Sequence, residues 1–219
     1  FHGGKSGPYE QLANELGTAR VVVSRLLKQM EEEKPLRLAY FDEGIPLIVL
    51  GLAKKVLFAD NLAIFVNMGY KMPEAFSSTE LWIFAYAFAF QIYFDFSGYT
   101  DIARGSAMLF GYKIPINFNM PYMASNISNF WHRWHISLST WIRDYVYIPL
   151  GGNRHGMVRT ICNGAFAFAL CGLWHGAHWN YIAWGLYHGI GISVCLVYPK
   201  VLGPVGSKIQ TFLARFWFL

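Results

Sequence analysis

Charge is scarce in this chain. Of its 219 residues only 14% are Asp, Glu, Lys or Arg, against roughly 25% in an average soluble protein. The shortage is greatest between Thr160 and Pro199, where none of the four occurs. That absence excludes an ordinary solvated loop. At about 1.5 Å rise per residue the stretch is long enough for two crossings of a roughly 30 Å hydrocarbon core. Cysteine is scarce too. Cys162, Cys171 and Cys195 lie in apolar surroundings without C-x-x-C spacing, so they read as small buried hydrophobes and report nothing about redox compartment. No internal repeat is present. The chain opens on Phe1 rather than Met and ends in an apolar run. It is therefore expected to be a piece of a longer protein, and its lack of a signal peptide carries no information.

What is present fits that picture. Hydrophobic residues make up 54% and aromatics 18%, with eight Trp and thirteen Tyr, and mean hydropathy is +0.29. Amphipathic rings in that quantity suit a lipid–water boundary. The net charge of +5 could signal nucleic acid. A polytopic membrane protein is also commonly basic, because Lys and Arg hold its loops on the cytoplasmic side. The expected fold class is an all-α, multi-pass membrane protein.

Composition changes near residue 40. Residues 1–38 are polar, and Tyr9 to Glu33 carries Leu12, Leu16, Val22, Val23, Leu26, Leu27 and Met30 at helical spacing. Gly17 falls between two helical halves. Residues 11–30 resemble the DNA-reading helix-turn-helix of cyclic-AMP-receptor-like regulators, in which Thr18, Arg20, Ser24 and Arg25 would face DNA. The plainer reading is an amphipathic cytoplasmic helix with Arg20, Arg25 and Lys28 solvated. DNA binding is not expected, because the match is short and the dimerising effector domain of such regulators is absent.

Beyond residue 39 the chain is membrane-like. Gly44 to Met68 is apolar but carries Lys54, Lys55 and Asp60, which are expensive in hydrocarbon. The reading is a broken helix, an interfacial one, or one packed inside a bundle. Leu81 to Phe94 is apolar and aromatic and runs into Asp95. Residues 104–159 mix Arg104, Lys113, Arg133, Arg143, Arg154 and Arg159 with aromatics, as in helices lying at or re-entering a membrane face. Gly151-Gly152-Asn153 after Pro149 signals a turn. Gly172 to Gly176 should fall near the connection between two spans or on a helix entering a cavity.

Two histidine clusters stand out, Trp131-His132-Arg133-Trp134-His135 and Trp174-His175-Gly176-Ala177-His178-Trp179. A titratable side chain in an uncharged apolar stretch needs a reason, because unpaired burial costs several kcal/mol and intramembrane ionisable groups serve function. With a pKa near 6.5, histidine can take and return a proton at neutral pH. Three uses remain open: acyl transfer, metal binding by the i, i+3 pairs His132/His135 and His175/His178, or histidines satisfied in a packed bundle.

Five ordered blocks resemble the membrane-bound O-acyltransferase family. They are Phe90 to Asp101 (FQIYFDFSGYTD), Asn117 to Tyr122 (NFNMPY), Phe130 to Ser139 (FWHRWHISLS), Arg143 to Gly152 (RDYVYIPLGG) and Gly172 to Asn180 (GLWHGAHWN). Within the family they look most like the alginate O-acetyltransferase branch, with teichoic-acid D-alanyl and peptidoglycan acetyltransferases as near relatives. The resemblance covers about residues 40–219, and residues 39–219 would form the C-terminal part of the family's transmembrane domain, truncated at its N-terminus. It implies a bacterial inner-membrane enzyme that moves an acetyl group from a cytoplasmic donor to hydroxyls of an extracytoplasmic polysaccharide. The donor, acetyl-coenzyme A or another acyl thioester, is a substrate, and no bound cofactor or metal is expected. Partners would be membrane lipid, the acyl donor, and the polysaccharide or an acetyl-accepting protein.

By position, His175 matches the family's essential histidine and His135 its second functional one. The implied roles are general base for His175, and donor orientation or oxyanion stabilisation for His135. Asp95, Asp101, Arg133, Arg143, Asp144, Trp174 and Asn180 are secondary candidates for substrate contact. For the charged members the alternative is ion pairs that lock helices together. Asn117 and Asn119 are expected to cap or turn the chain ahead of Pro121. His132 stands where such proteins often carry Arg, and His178 where they often carry a small residue.

Overall fold

A computed structural model describes residues 39–214, with side chains described for 40–197. Residues 9–33, with their helix-turn-helix-like pattern, lie outside the described residues. Every regular element among the described residues is helical, and they fall into two compact units divided between Pro115 and Ile116.

In the first unit, α1 (Ala39–Ala53) passes through a π-helical turn (Lys54–Ala59) into α2 (Asp60–Lys71). A 3-10 turn (Pro73–Ala75) then leads into α3 (Ser78–Leu109). The start of α3 is set by a capping box. The Ser77 hydroxyl accepts from the Glu80 N–H, and the Glu80 carboxylate accepts from the Ser77 N–H at 2.8 Å. Helices α1 and α3 pack backbone to backbone through two glycine pairs. A Cβ on Gly51 would lie 2.5 Å from the Gly98 carbonyl oxygen, and one on Gly44 2.8 Å from that of Gly105. Small residues permit this approach, which is how helices gain contact where lipid supplies no hydrophobic drive.

The charges inside Gly44–Met68 do not break the helix. The chain widens by one π turn, and Asn61 donates its side-chain amide to the Val56 and Leu57 carbonyls within it (3.1 and 3.0 Å). Lys54 Nζ meets Asp101 at 2.6 Å, and Asp101 also lies 3.4 Å from the Arg104 guanidinium. Lys55 Nζ sits 2.5 Å from Asp95 and 3.0 Å from Asp60. The helix is unbroken and packs on α3, with both lysines met by carboxylates.

The second unit is built on a hairpin of α6 (Met157–His175) and α7 (Trp179–Ala214), joined through Gly176 to His178. Met157–His175 and Trp179–Val197 are long and apolar enough to cross a membrane. Large apolar side chains are exposed on them: Val158 at 75% and Trp179 at 79%. Gly172 to His175 still belong to α6 and only Gly176 enters the connection, so the segment lies at the helix end, beside the connection. Glycines again set the contact. A Cβ on Gly189 would lie 2.5 Å from the Gly164 carbonyl oxygen, and Cβ atoms on Gly172 and Gly185 would collide with the Tyr181 and Phe168 carbonyls.

Ahead of the hairpin come short pieces: a 3-10 turn (Pro121–Met123), α4 (Ile127–Trp131), α5 (Ile136–Ile142) and a second π turn (Arg143–Tyr147). The signalled turn is present, with Gly151 at φ +103° and Gly152 at φ +55°, angles that favour glycine. Asn163 of α6 holds it by donating to the carbonyls of Leu150 and Gly152 (3.1 and 3.0 Å). Cys171 is buried in the core of this unit with Ile142 and Ala167. Cys162 departs from expectation and is exposed, on a helix whose apolar exterior accepts a small thiol equally well.

Removing one partner of a part-buried ion pair strands the other charge, at a cost of about 2–4 kcal/mol. Asp101→Leu should therefore lower the midpoint of thermal unfolding in detergent by several degrees. Adding Lys54→Met to Asp101→Leu should recover part of that loss. An Asp101→Leu protein as stable as wild type would refute the pairing.

Candidate active site

The site forms in the second unit, where α6 ends and α5 begins. His175 is the last residue of α6. Its ring lies 4.9 Å from that of Trp174 and 5.4 Å from that of Trp184, edge-on to both. The Trp174 ring is also 6.5 Å from the ring of His135. The structure thus brings together His135, Trp174 and His175, three of the residues singled out in the sequence, and walls them with indole.

His135 immediately precedes α5 and is held at φ +42°, ψ +55°. This left-handed conformation costs a non-glycine residue roughly 1–2 kcal/mol. A separate strand of chain offsets it. The Asn119 N–H donates to the Arg133 carbonyl (2.9 Å), the Ile136 N–H donates to the Asn117 carbonyl (3.0 Å), and the Ser137 N–H donates to Asn117 Oδ1 (3.0 Å). Asn117 is thus a cap, as expected, but for a helix distant in sequence rather than for its own turn. Burial, and secondarily the nearby His175, push the His135 pKa down to about 4. Its imidazole is therefore neutral at physiological pH, able to donate from one ring nitrogen and accept at the other.

The secondary candidates are dispersed. Arg133 latches the same turn, donating Nε to Asn129 Oδ1 (2.9 Å) and Nη1 to the Asn119 carbonyl (3.3 Å). Arg143 and Asp144 pair with one another at 2.7 Å on the second π turn, both exposed. Asn180 follows the α6–α7 connection, its backbone N–H donating to His178 Nδ1 (3.3 Å). Asp95 and Asp101 belong to the first unit. His132 Nδ1 lies 2.6 Å from the Ser128 carbonyl. Among the described residues no three His, Cys, Asp or Glu side chains converge as metal ligands, so the two i, i+3 histidine pairs do not form a ligand set.

Sequence reasoning passed over Trp184 and His188 of α7. The Trp184 ring lies 4.9 Å from that of His188, and the Trp131 indole N–H donates to His188 Nδ1 (3.3 Å). The signal was available: His188 is another ionisable group in the uncharged stretch, and Trp184 stands one helical turn before it.

Residues 21–205 match the model of MBOAT, the membrane-bound O-acyltransferase family. The match starts inside the segment likened to a helix-turn-helix. A peptidoglycan O-acetyltransferase of Helicobacter pylori is 44% identical over 193 residues, covering 87% of this chain and 37% of that protein. A protein of Pseudomonas syringae pv. tomato named "Probable alginate O-acetylase" is 46% identical, covering 82% of this chain and 33% of that one. A teichoic acid D-alanyltransferase of Streptococcus thermophilus is 35% identical, covering 70% and 40%. The chain spans 33% to 40% of the length of these three relatives. With most of its length matched by the family and its five motif blocks in order, this chain belongs to the membrane-bound O-acyltransferases.

Proposed function

We propose that this chain carries the histidine centre of a multi-pass O-acyltransferase in a bacterial inner membrane. The enzyme would transfer an acetyl group from a cytoplasmic thioester, acetyl-coenzyme A or another, to hydroxyls of an extracytoplasmic polysaccharide or an acetyl-accepting partner protein. The observation that carries the reading is the placement of His175 at the end of an apolar helix, between two indoles and close enough to His135 to bear on its charge. Relatives named for acetylating peptidoglycan and alginate support an acetyl group and a polysaccharide acceptor. The helices before α6 that are too short or too charged to span would lie at or re-enter the membrane face.

In this mechanism His175 takes the proton of the acceptor hydroxyl as its oxygen attacks the thioester carbonyl carbon. The C–O bond forms, the carbonyl oxygen gathers negative charge, and a neutral N–H of His135 stabilises it. Collapse breaks the C–S bond, and the leaving thiolate takes the proton held by His175. Trp184, edge-on to His175, would hold its ring in orientation. Trp174 lies between the two rings and would contact the acyl group. Asn180, Arg143 and Asp144 are the remaining candidates for donor or acceptor contacts in this unit. Arg133 would act on the turn that carries His135, and Asp95 and Asp101 through the ion pairs of the first unit.

His175→Ala should lower acetyl transfer from acetyl-coenzyme A to cell-envelope polysaccharide by about 10²-fold or more, with unchanged protein in the membrane fraction. Wild-type transfer by that variant would overturn the assignment. A second expectation concerns pH. With its folded pKa depressed to about 4 from an ordinary value of 6.5, His135 takes up a proton in the unfolded chain before it does so in the folded one. Its contribution to stability is therefore lost as pH falls from about 6.5 towards 4. Thermal unfolding in detergent should shift downwards across that window, and by less in His135→Gln.

A further inference from the structure

We infer that the hydrogen bond between Trp131 and His188 is a clamp that sets the spacing of His135 and His175, making both clamp residues positioning residues of the reaction. The inference rests on the acyl-transfer reading above.

Trp131 closes α4, four residues before His135, and is 6% exposed. Its indole N–H has one described partner, Nδ1 of His188 at 3.3 Å. A ring nitrogen that accepts carries no proton, so the ring hydrogen of His188 sits on Nε2. The bond joins the segment leading into His135 to α7, the helix packed through Gly164 and Gly189 against the one ending at His175.

The rings continue the connection to the site. Trp184 lies edge-on to His188 (4.9 Å) and to His175 (5.4 Å), and it also touches Trp131 at 5.8 Å. Trp131 packs edge-on against Phe168 of α6 at 4.9 Å. Trp131, Trp184 and His188 thus form a closed triangle of rings, with His175 on one corner and the His135 turn on another. Edge-to-face contacts fix ring orientation as well as distance. With Trp131 6% exposed, the indole–imidazole bond is largely shielded from solvent, where a hydrogen bond is stronger than in water. Nothing in the proposed proton path passes through His188, so its part is geometric.

A positioning role predicts loss of turnover without loss of donor binding or of folded protein. His188→Phe keeps a ring of similar shape but removes the acceptor, and His188→Asn retains an acceptor near the place of Nδ1. Trp131→Phe removes the donor and leaves His188 intact. The measurement is acetyl transfer to cell-envelope polysaccharide in membranes carrying the protein, with acetyl-coenzyme A as the varied substrate. His188→Phe and Trp131→Phe should each lower kcat about tenfold with KM within twofold, and their combination should be no worse than either alone. His188→Asn should stay within about threefold of wild type. Three results would overturn the clamp: wild-type kcat in His188→Phe, His188→Asn as impaired as His188→Phe, or losses accounted for by less folded protein in the membrane. His175→Ala run alongside separates the two claims. If it is inactive while His188→Phe is normal, only the clamp fails; if it is active, the acyl-transfer reading itself fails.

Discussion

Close backbone contact between α6 and α7 is the constraint from which the geometry of the site follows. In a membrane, apolar side chains gain nothing by leaving lipid for one another, so helices associate through packing at van der Waals distance. Here Gly164 of α6 faces Gly189 of α7, Gly172 faces Tyr181 and Gly185 faces Phe168, and a single Cβ would meet a neighbouring carbonyl or the Ser193 hydroxyl. Gly172 lies just before His175, and Gly185 just after Trp184. The approach that these glycines allow is what brings the Trp184 ring onto His175. A larger residue at either position would push apart the two helices and, with them, the wall of the site.

The His135 side of the site rests on a different device. Left-handed backbone at a non-glycine residue persists only where surrounding structure over-determines it, and such residues cluster at functional sites. Asn117 supplies that determination twice over, through its carbonyl to Ile136 and its side chain to Ser137. Asn119 and Arg133 close the other side of the same turn. Met120, also left-handed at φ +43°, bends the supporting strand just beyond these bonds. The conformation of His135 is therefore held by hydrogen bonds from a segment that carries no chemistry of its own. This gives Arg133, singled out as a substrate contact, a structural occupation.

The uncharged run from Thr160 to Pro199 made the hairpin legible, because forty mostly apolar residues without Asp, Glu, Lys or Arg suit a pair of membrane crossings. The glycines around His175 made its connection legible as well. The π turns at Lys54–Ala59 and Arg143–Tyr147 were not legible, since each lasts about one turn and a single shift of helical phase is too brief to read from hydrophobic period. Which acid would meet Lys54 depends on the packing of α1 on α3, and nothing local to either residue encodes that. Asn117 read as a capping residue from its type alone. That its partner would be Ser137 is a tertiary fact. His188 could have been found, because it meets the same criterion that selected His175, an ionisable side chain amid apolar ones. It lacks only a neighbouring motif to draw attention to it.

The lysines of the first unit and the histidines of the second have different neighbours, and the difference bears on the chemistry. In the first, Lys54 and Lys55 are each met by carboxylates. In the second, burial first and the His175 imidazole second act on His135, and the described ring neighbours of His175 are indoles. A carboxylate beside a histidine would raise its basicity and hold a positive charge in place between steps. In the proposed mechanism, an imidazolium flanked by indoles would be short-lived and would readily surrender its proton. That suits an acyl donor whose leaving group is a thiolate, which departs without strong assistance and then needs a proton. In the proposed mechanism the thioester would supply the energy for the transfer, and the site would supply orientation and one mobile proton.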